Sequence, residues 1–199
     1  MHVTKPHHQL QMSEPELRIV DEEMLIEHAR HDPDAFAVIY ERYADPVYRM
    51  CLRAAGDPDV ADDLTATVFL KAFERLDNYH PRPDSTFRAW LFAVARNALL
   101  DYWRRNRRVI SWGEEEIVIV DQAPGPEEIA LSRITLGEVR VALATLNNRH
   151  RSIVEFRLSG LTTQEIASAL DMSIPALKSA QTRAYASIRK HLAPKGATL

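Results

Sequence analysis

The 199-residue sequence contains a single cysteine, Cys51, so it offers no internal disulfide and no thiolate zinc cluster. No apolar run reaches the roughly 18 residues that a membrane-spanning helix needs. Met1 to Leu10 holds His2, Lys5, Pro6, His7 and His8 but no apolar stretch of the kind a secretory signal carries. These absences predict a cytoplasmic protein that does not insert into a membrane. Glycine is scarce, with six, and the 11 prolines are mostly clustered, which leaves long stretches free of helix breakers and predicts a mainly helical chain. There is no P-loop, no HExxH and no GxSxG. Asp62 and Asp63 are adjacent, so they project in different directions from a helix, and no His or Lys stands at a useful spacing; they suit a helix start. His28 and His31 share a helical face without a third metal ligand. No catalytic residue, metal site, cofactor or enzyme activity is expected.

Charge is present in blocks. The formal net charge is -3, yet residues 21–80 carry 6 basic and 14 acidic groups, while residues 81–108 carry 7 and 2. Residues 109–130 carry 6 acidic groups and no basic one, and residues 131–199 carry 10 basic and 4 acidic. Two basic blocks separated by an acidic connector suit two surfaces for one polyanion.

Apolar periodicity then divides the chain. Residues 1–20 are polar and aperiodic and read as a mobile tail. From Glu22, the positions Leu25, Ala29, Phe36, Ile39, Tyr40, Tyr43, Val47 and Met50 recur at helical spacing, broken by His31-Asp32-Pro33 into two helices. After Gly56, Asp57 can cap a new helix and Pro58 suits its first turn. Leu64, Val68, Phe69, Ala72, Phe73 and Leu76 form its apolar stripe, with Asp62, Asp63, Thr67, Lys71 and Glu74 on the other face. Tyr79-His80-Pro81-Arg82-Pro83-Asp84 is non-helical, because each proline biases its predecessor to an extended conformation. Ser85 or Thr86 then caps a long helix to about Arg107. It buries Trp90, Leu91, Val94, Ala95, Ala98 and Tyr102 and leaves Arg88, Arg96, Asn97, Arg104 and Arg105 for solvent or a ligand.

Residues 109–130 read as a linker, with Glu114-Glu115-Glu116, the β-branched run Ile117-Val118-Ile119-Val120 and Pro124-Gly125-Pro126. Residues 131–199 hold four helical segments. Ile134, Val141 and Leu146 mark the first, and Ile153, Val154, Phe156 and Leu158 the second. Thr162 and Glu165 have capping-box spacing, with Leu161 and Ile166 at the staple positions, and this short helix buries Ile166, Ala167 and Leu170. Asp171-Met172-Ser173 follows as a turn, and Ser173 can cap a last helix with Leu177, Ala184 and Ile188 inward. The fold class expected is all-α, with two small helical domains at 21–108 and 131–199 joined by a flexible acidic linker.

Two short helices joined in this way make a helix-turn-helix, whose second helix enters the DNA major groove. Here that helix carries Lys178, Ser179, Thr182 and Arg183, donors suited to base edges and phosphates, and its start at Ser173 offers backbone amides. The basic face of the 87–107 helix, interleaved with aromatic residues and preceded by Tyr79 and Arg82, suits melted nucleic acid. The same aromatics also serve as core.

Three stretches carry a family resemblance: residues 61–73 (ADDLTATVFLKAF), residues 87–101 (FRAWLFAVARNALLD), and Leu161-Thr162-Thr163-Gln164-Glu165-Ile166-Ala167 through Lys178-Ser179 to Arg183-Ala184. In that order they resemble the bacterial extracytoplasmic-function (ECF) sigma factors, transcription initiation factors built from sigma regions 2 and 4. The resemblance implies that Asp62, Asp63, Thr67, Lys71 and Glu74 face core RNA polymerase at the clamp helices of the β′ subunit, with the second domain at the β flap. It implies that Tyr79 and Asn97 border a pocket for a flipped base of the -10 element, with residues 80–85 selecting the base. His80, Arg82, Arg88, Arg96, Arg104 and Arg105 belong to the same surface. Ser173, Lys178, Ser179, Thr182 and Arg183 would face the -35 element. It also implies promoter DNA as ligand, an anti-sigma factor as partner, and an acidic linker lying along the polymerase's RNA path.

The sequence departs from the family where the recognition helix often reads Gly-Thr-Val-Lys-Ser-Arg. Here it reads Pro175-Ala176-Leu177-Lys178-Ser179-Ala180, and Tyr185 stands where another basic residue is common. Fewer cations predict a shallower salt dependence at that element. The alternative function is a stand-alone helix-turn-helix regulator, which predicts tight duplex binding by the chain alone, as a dimer on a palindromic site.

Overall fold

A computed structural model of the chain describes residues 22–83, 85–110 and 137–192. The expected tail at 1–20 and most of the expected linker, including its β-branched run, lie outside the described residues.

Helix α1 spans Glu22–Ala29 and α2 spans Pro33–Ala55. They separate where expected: Asp32 is extended and its carboxylate accepts from the Asp34 N–H at 3.0 Å, with Pro33 in the first turn, where its missing donor costs nothing. Helix α2 runs on through Pro46 and stops at Gly56, whose φ of 76° is left-handed and whose N–H donates to the Leu52 carbonyl at 2.8 Å. Asp57 then caps α3, Pro58–Glu74, by accepting from the Val60 N–H at 3.0 Å. A 3-10 turn, Leu76–Asn78, leads into the loop before α4, Phe87–Ile110. Of the two candidate caps for α4, Thr86 is the one used: its hydroxyl accepts from the Ala89 N–H at 3.1 Å. Helix α4 continues two residues into the segment expected to be linker.

The C-terminal helices are α5 over 137–144, α6 Asn148–Leu158, α7 Thr163–Ala169 and α8 Ile174–Leu192. Helices α6 and α7 end in the same way. The Gly160 and Leu161 amides reach back to Arg157 and Phe156, and the Asp171 and Met172 amides to Ser168 and Ala167. This is the double-bonded end that needs one left-handed residue. Gly160 supplies it at φ 80° and Asp171 at φ 51°. Among the described residues the only non-helical pairing is an isolated bridge between Arg82 and Ser85.

The main core is built from the inward faces of α1–α4, including Ile39, Met50, Val68, Leu91 and Leu99. Burying each such side chain contributes about 1.5–3 kcal/mol. The same cluster extends into the C-terminal helices through Ile153, Phe156, Leu161, Ile166 and Leu177. Phe92 of α4 meets Phe156 of α6 edge-on, with ring centroids 6.1 Å apart. A smaller cluster of Leu143, Leu146, Val154 and Ala184 holds α5, α6 and α8 together. Three positions of the expected apolar pattern are exposed: Tyr40 and Phe73 at 45% and Leu158 at 51%. Tyr40 and Phe73 pack against Phe69 and Phe36 and leave much of each ring open to solvent.

Candidate nucleic-acid interface

The first surface is α4 with the loop before it. Tyr79 is buried, with its ring centroid 5.3 Å from that of Phe87 and 5.1 Å from that of Trp90. These aromatics form part of the core and anchor the root of the loop. His80 and Arg82 are exposed beyond it, and the Ser85 N–H donates to the Arg82 carbonyl at 3.1 Å, closing a tight turn. Along α4, Asn97, Arg104 and Arg105 are exposed. Arg104 is paired with Asp101 at 2.5 Å, a surface contact of small energetic weight.

Arg88 and Arg96 are partly covered, and both reach the C-terminal helices. Arg88 donates to the Ser159 carbonyl at 2.7 Å, and Arg96 donates through Nε to the Ser152 hydroxyl at 2.8 Å. Desolvation, and then the charge of Arg149, lower the pKa of Arg96. Arg96 Nη1 also donates to the Asn97 side-chain oxygen at 3.4 Å, which orients an otherwise exposed amide. Tyr79, His80, Arg82, Arg88, Arg96, Asn97, Arg104 and Arg105 therefore fall into three groups in this conformation. One is buried, two are tied to α6 and its C-terminal turn, and the rest are open to solvent.

The second surface is the α7–α8 pair. The capping box is complete: the Thr162 N–H donates to Glu165 Oε2 at 2.7 Å, and the Glu165 N–H donates to Thr162 Oγ1 at 3.2 Å. Glu165 also accepts from the Thr86 hydroxyl at 3.0 Å. Burial acts to raise its pKa, but these hydrogen bonds and the nearby Arg88 outweigh that and hold it below the ordinary range. The Ser173 hydroxyl accepts from the Ala176 N–H at 3.4 Å at the start of α8. Lys178, Ser179, Thr182 and Arg183 are all exposed and lie along one strip of that helix. Two side chains of the strip are braced to its backbone: Thr182 donates to the Lys178 carbonyl at 3.1 Å and Arg183 to that of Ser179 at 3.3 Å.

The third surface is the outer face of α3. Asp62, Asp63, Thr67 and Glu74 are exposed, and Lys71 pairs with Asp101 of α4 at 3.3 Å. Sequence reasoning missed the apolar part of this face. Leu70 is 59% exposed, and Phe73 stacks edge-on with Phe36 of α2 at 4.9 Å. Tyr40, also exposed, packs on Phe69 at 4.6 Å. Exposed large apolar groups clustered on one face mark a contact surface. The signal was in the sequence: Leu70 lies outside the stripe that α3 needs for its own packing. Among the described residues no group of His, Cys, Asp and Glu could hold a metal ion, and no helix is long and apolar enough to cross a membrane.

Comparison with known proteins places these surfaces in context. Residues 39–109 match the family model for sigma-70 region 2, and residues 136–188 match that for sigma-70 region 4. The chain is 29% identical to the ECF RNA polymerase sigma factor BldN of Streptomyces coelicolor over 171 residues. That alignment takes in 84% of this chain and 64% of BldN. It is 30% identical to the RNA polymerase sigma factor CnrH of Cupriavidus metallidurans over 146 residues, 68% of this chain and 75% of CnrH. The solved structure of CnrH in complex with the cytosolic domain of CnrY superposes with a TM-score of 0.66. It covers 88% of this chain and 99% of that one at 21% identity. The sigma factor RpoE of Bartonella quintana, solved with the anti-sigma factor NepR, superposes with a TM-score of 0.57. It covers 81% of this chain and 98% of that one at 20% identity. These superpositions establish the shared all-α fold.

Proposed function

The chain belongs to the ECF class of RNA polymerase sigma factors, and from that membership we propose that it binds core RNA polymerase and directs it to promoters carrying particular -10 and -35 elements. Phosphodiester chemistry stays with the polymerase; the chain contributes recognition and strand opening. Its domains are 21–108 for polymerase binding and the -10 element and 131–199 for the -35 element, joined by the 109–130 linker. It works in the cytoplasm, where its polymerase is.

The observation that carries this reading is the exposed strip Lys178, Ser179, Thr182 and Arg183 on the second helix of a fully capped helix-turn-helix. That helix is the element that enters a major groove, and the strip holds donors for guanine edges and phosphates. Asn97 and the exposed loop residues His80 and Arg82 provide the counterpart for a single strand, beside the basic groups Arg104 and Arg105. On α3, Asp62, Asp63, Thr67, Lys71 and Glu74 surround Leu70 and Phe73, an apolar centre with a polar rim suited to a protein partner. That partner is the polymerase clamp. An anti-sigma factor competes for the same surfaces, in keeping with the partners seen with CnrH and RpoE.

The test is a pull-down of core polymerase with the purified chain, followed by transcription from a pooled promoter library. Capture of the polymerase with new, chain-dependent start sites is expected. Failure to capture it refutes the proposal.

A further inference from the structure

We propose that α1 positions the loop at the -10 element and that Arg30, by holding the Tyr79 carbonyl, helps to set which bases the chain prefers there. The inference rests on the proposed role of residues 80–85. Helix α1 itself lies ahead of the region 2 match, which begins at residue 39.

Both ends of α1 are fastened to the root of the loop. At its start, Glu22 accepts from the Tyr43 hydroxyl, and the Tyr43 ring lies 5.9 Å from Phe87, the first residue of α4. Burial, and then the charges of Glu22 and Glu23, push up the pKa of the Tyr79 hydroxyl. Just past the other end, Arg30 Nη2 donates to the Tyr79 carbonyl at 2.6 Å. Arg30 is mostly covered; its Nε lies 3.4 Å from Glu27 Oε2 and makes no well-formed hydrogen bond. The guanidinium is thus partly withdrawn from water, and its one well-formed hydrogen bond among the described residues is to this backbone oxygen.

That oxygen is mechanically important. The Tyr79 N–H is already fixed by the Leu76 carbonyl at 3.0 Å, and Tyr79 has ψ 127°. A peptide unit is planar, so the direction of the Tyr79 carbonyl fixes the direction in which the chain leaves toward His80. His80 in turn precedes Pro81 and is biased to an extended conformation. One hydrogen bond therefore constrains the exit vector of the whole exposed turn. Removing it frees ψ of Tyr79 while leaving its ring packed between Phe87 and Trp90.

The experiment uses the full chain with core polymerase and pooled templates randomised across both promoter elements, read by sequencing the transcripts. Arg30→Met keeps the apolar stem and removes the donors, Arg30→Lys keeps one charged donor, and Asn97→Ala reports on the base pocket itself. Arg30→Met should change relative base use at the -10 element by roughly threefold or more, about the weight of one hydrogen bond. Base use at the -35 element should stay native, and Arg30→Lys should restore part of the profile. A uniform loss on all templates, or a native profile beside an altered Asn97→Ala profile, overturns the inference while leaving the pocket standing. A native profile from both overturns the pocket, and the inference with it. Should Arg30→Met fail to fold, Arg30→Lys and Glu22→Gln carry the test, and native profiles from both overturn it.

Discussion

Arg53 of α2, partly covered, and Glu155 of α6, buried, are 102 residues apart in sequence and form an ion pair with Nε 2.9 Å from Oε2. Arg53 also donates to the Ser159 hydroxyl at 3.0 Å. Burial raises the Glu155 pKa against the opposing pull of Arg53 and Arg151, so desolvation outweighs the pairing. We expect the pair to specify how α6 meets α2 more than to stabilise the fold, which a double replacement tests. Arg53→Ala leaves a buried charge without its main partner and should cost about 3–5 kcal/mol, read by urea denaturation. Replacing both with apolar residues, Arg53→Met with Glu155→Leu, should recover most of that loss. A double variant as unstable as the single one contradicts this.

Two carboxylates give opposite pH signatures. The pKa of Glu165 is depressed in the folded chain, so its stabilising contribution is present above the unfolded carboxylate pKa and is lost as pH falls through the folded value. The pKa of Glu155 is raised, so its contribution is fully present below the unfolded pKa and is lost as pH rises through the folded value. On acidification from neutrality, Glu155 should take up its proton first and favour the folded state, and Glu165 should weaken it at lower pH. Unfolding free energy measured against pH should show a shallower acid-side fall in Glu165→Gln. In Glu155→Gln it should lose the gain on mild acidification.

Lys178→Ala and Arg183→Ala each remove a cation from the exposed strip of α8. If each contacts one phosphate, the slope of log affinity against log salt for holoenzyme on duplex -35 DNA should fall by about 1 per substitution. A change in sequence preference at constant slope would instead assign the residue to a base edge. Fluorescence anisotropy at several salt concentrations distinguishes the two.

Leu70 is more than half exposed on α3 and packs against little of its own chain. Leu70→Glu should leave the melting temperature nearly native and reduce core-polymerase binding by at least about tenfold, as loss of a central apolar contact does. Asp62→Asn, on the polar rim, should have a much smaller effect on the dissociation rate. Surface plasmon resonance with immobilised core polymerase measures both.

Helix ends were the most legible part of the fold. Asp57, Thr162 and Ser173 each cap the helix that the sequence assigns to them, because capping is local chemistry within four residues. The helix-turn-helix was readable for the same reason. Legibility failed where a partner element decides. Arg88 and Arg96 look free on a helical wheel, yet Ser159 and Ser152 claim them across the fold. Phe73 belongs to the apolar stripe by spacing, but α2 covers only its edge through Phe36. The contact of Arg30 with the Tyr79 carbonyl spans 49 residues and leaves no trace in local periodicity.

The central claim is tested most directly by reconstituted transcription with core polymerase, native chain and the Asn97→Ala and Lys178→Ala/Arg183→Ala variants on a promoter mapped from the pooled library. Start-site selection should require the chain and fall sharply with either variant, and in separate binding reactions at physiological salt the chain without polymerase should not hold the promoter duplex tightly. Tight binding to a palindromic duplex by the chain alone, with initiation unaffected by either variant, would contradict it.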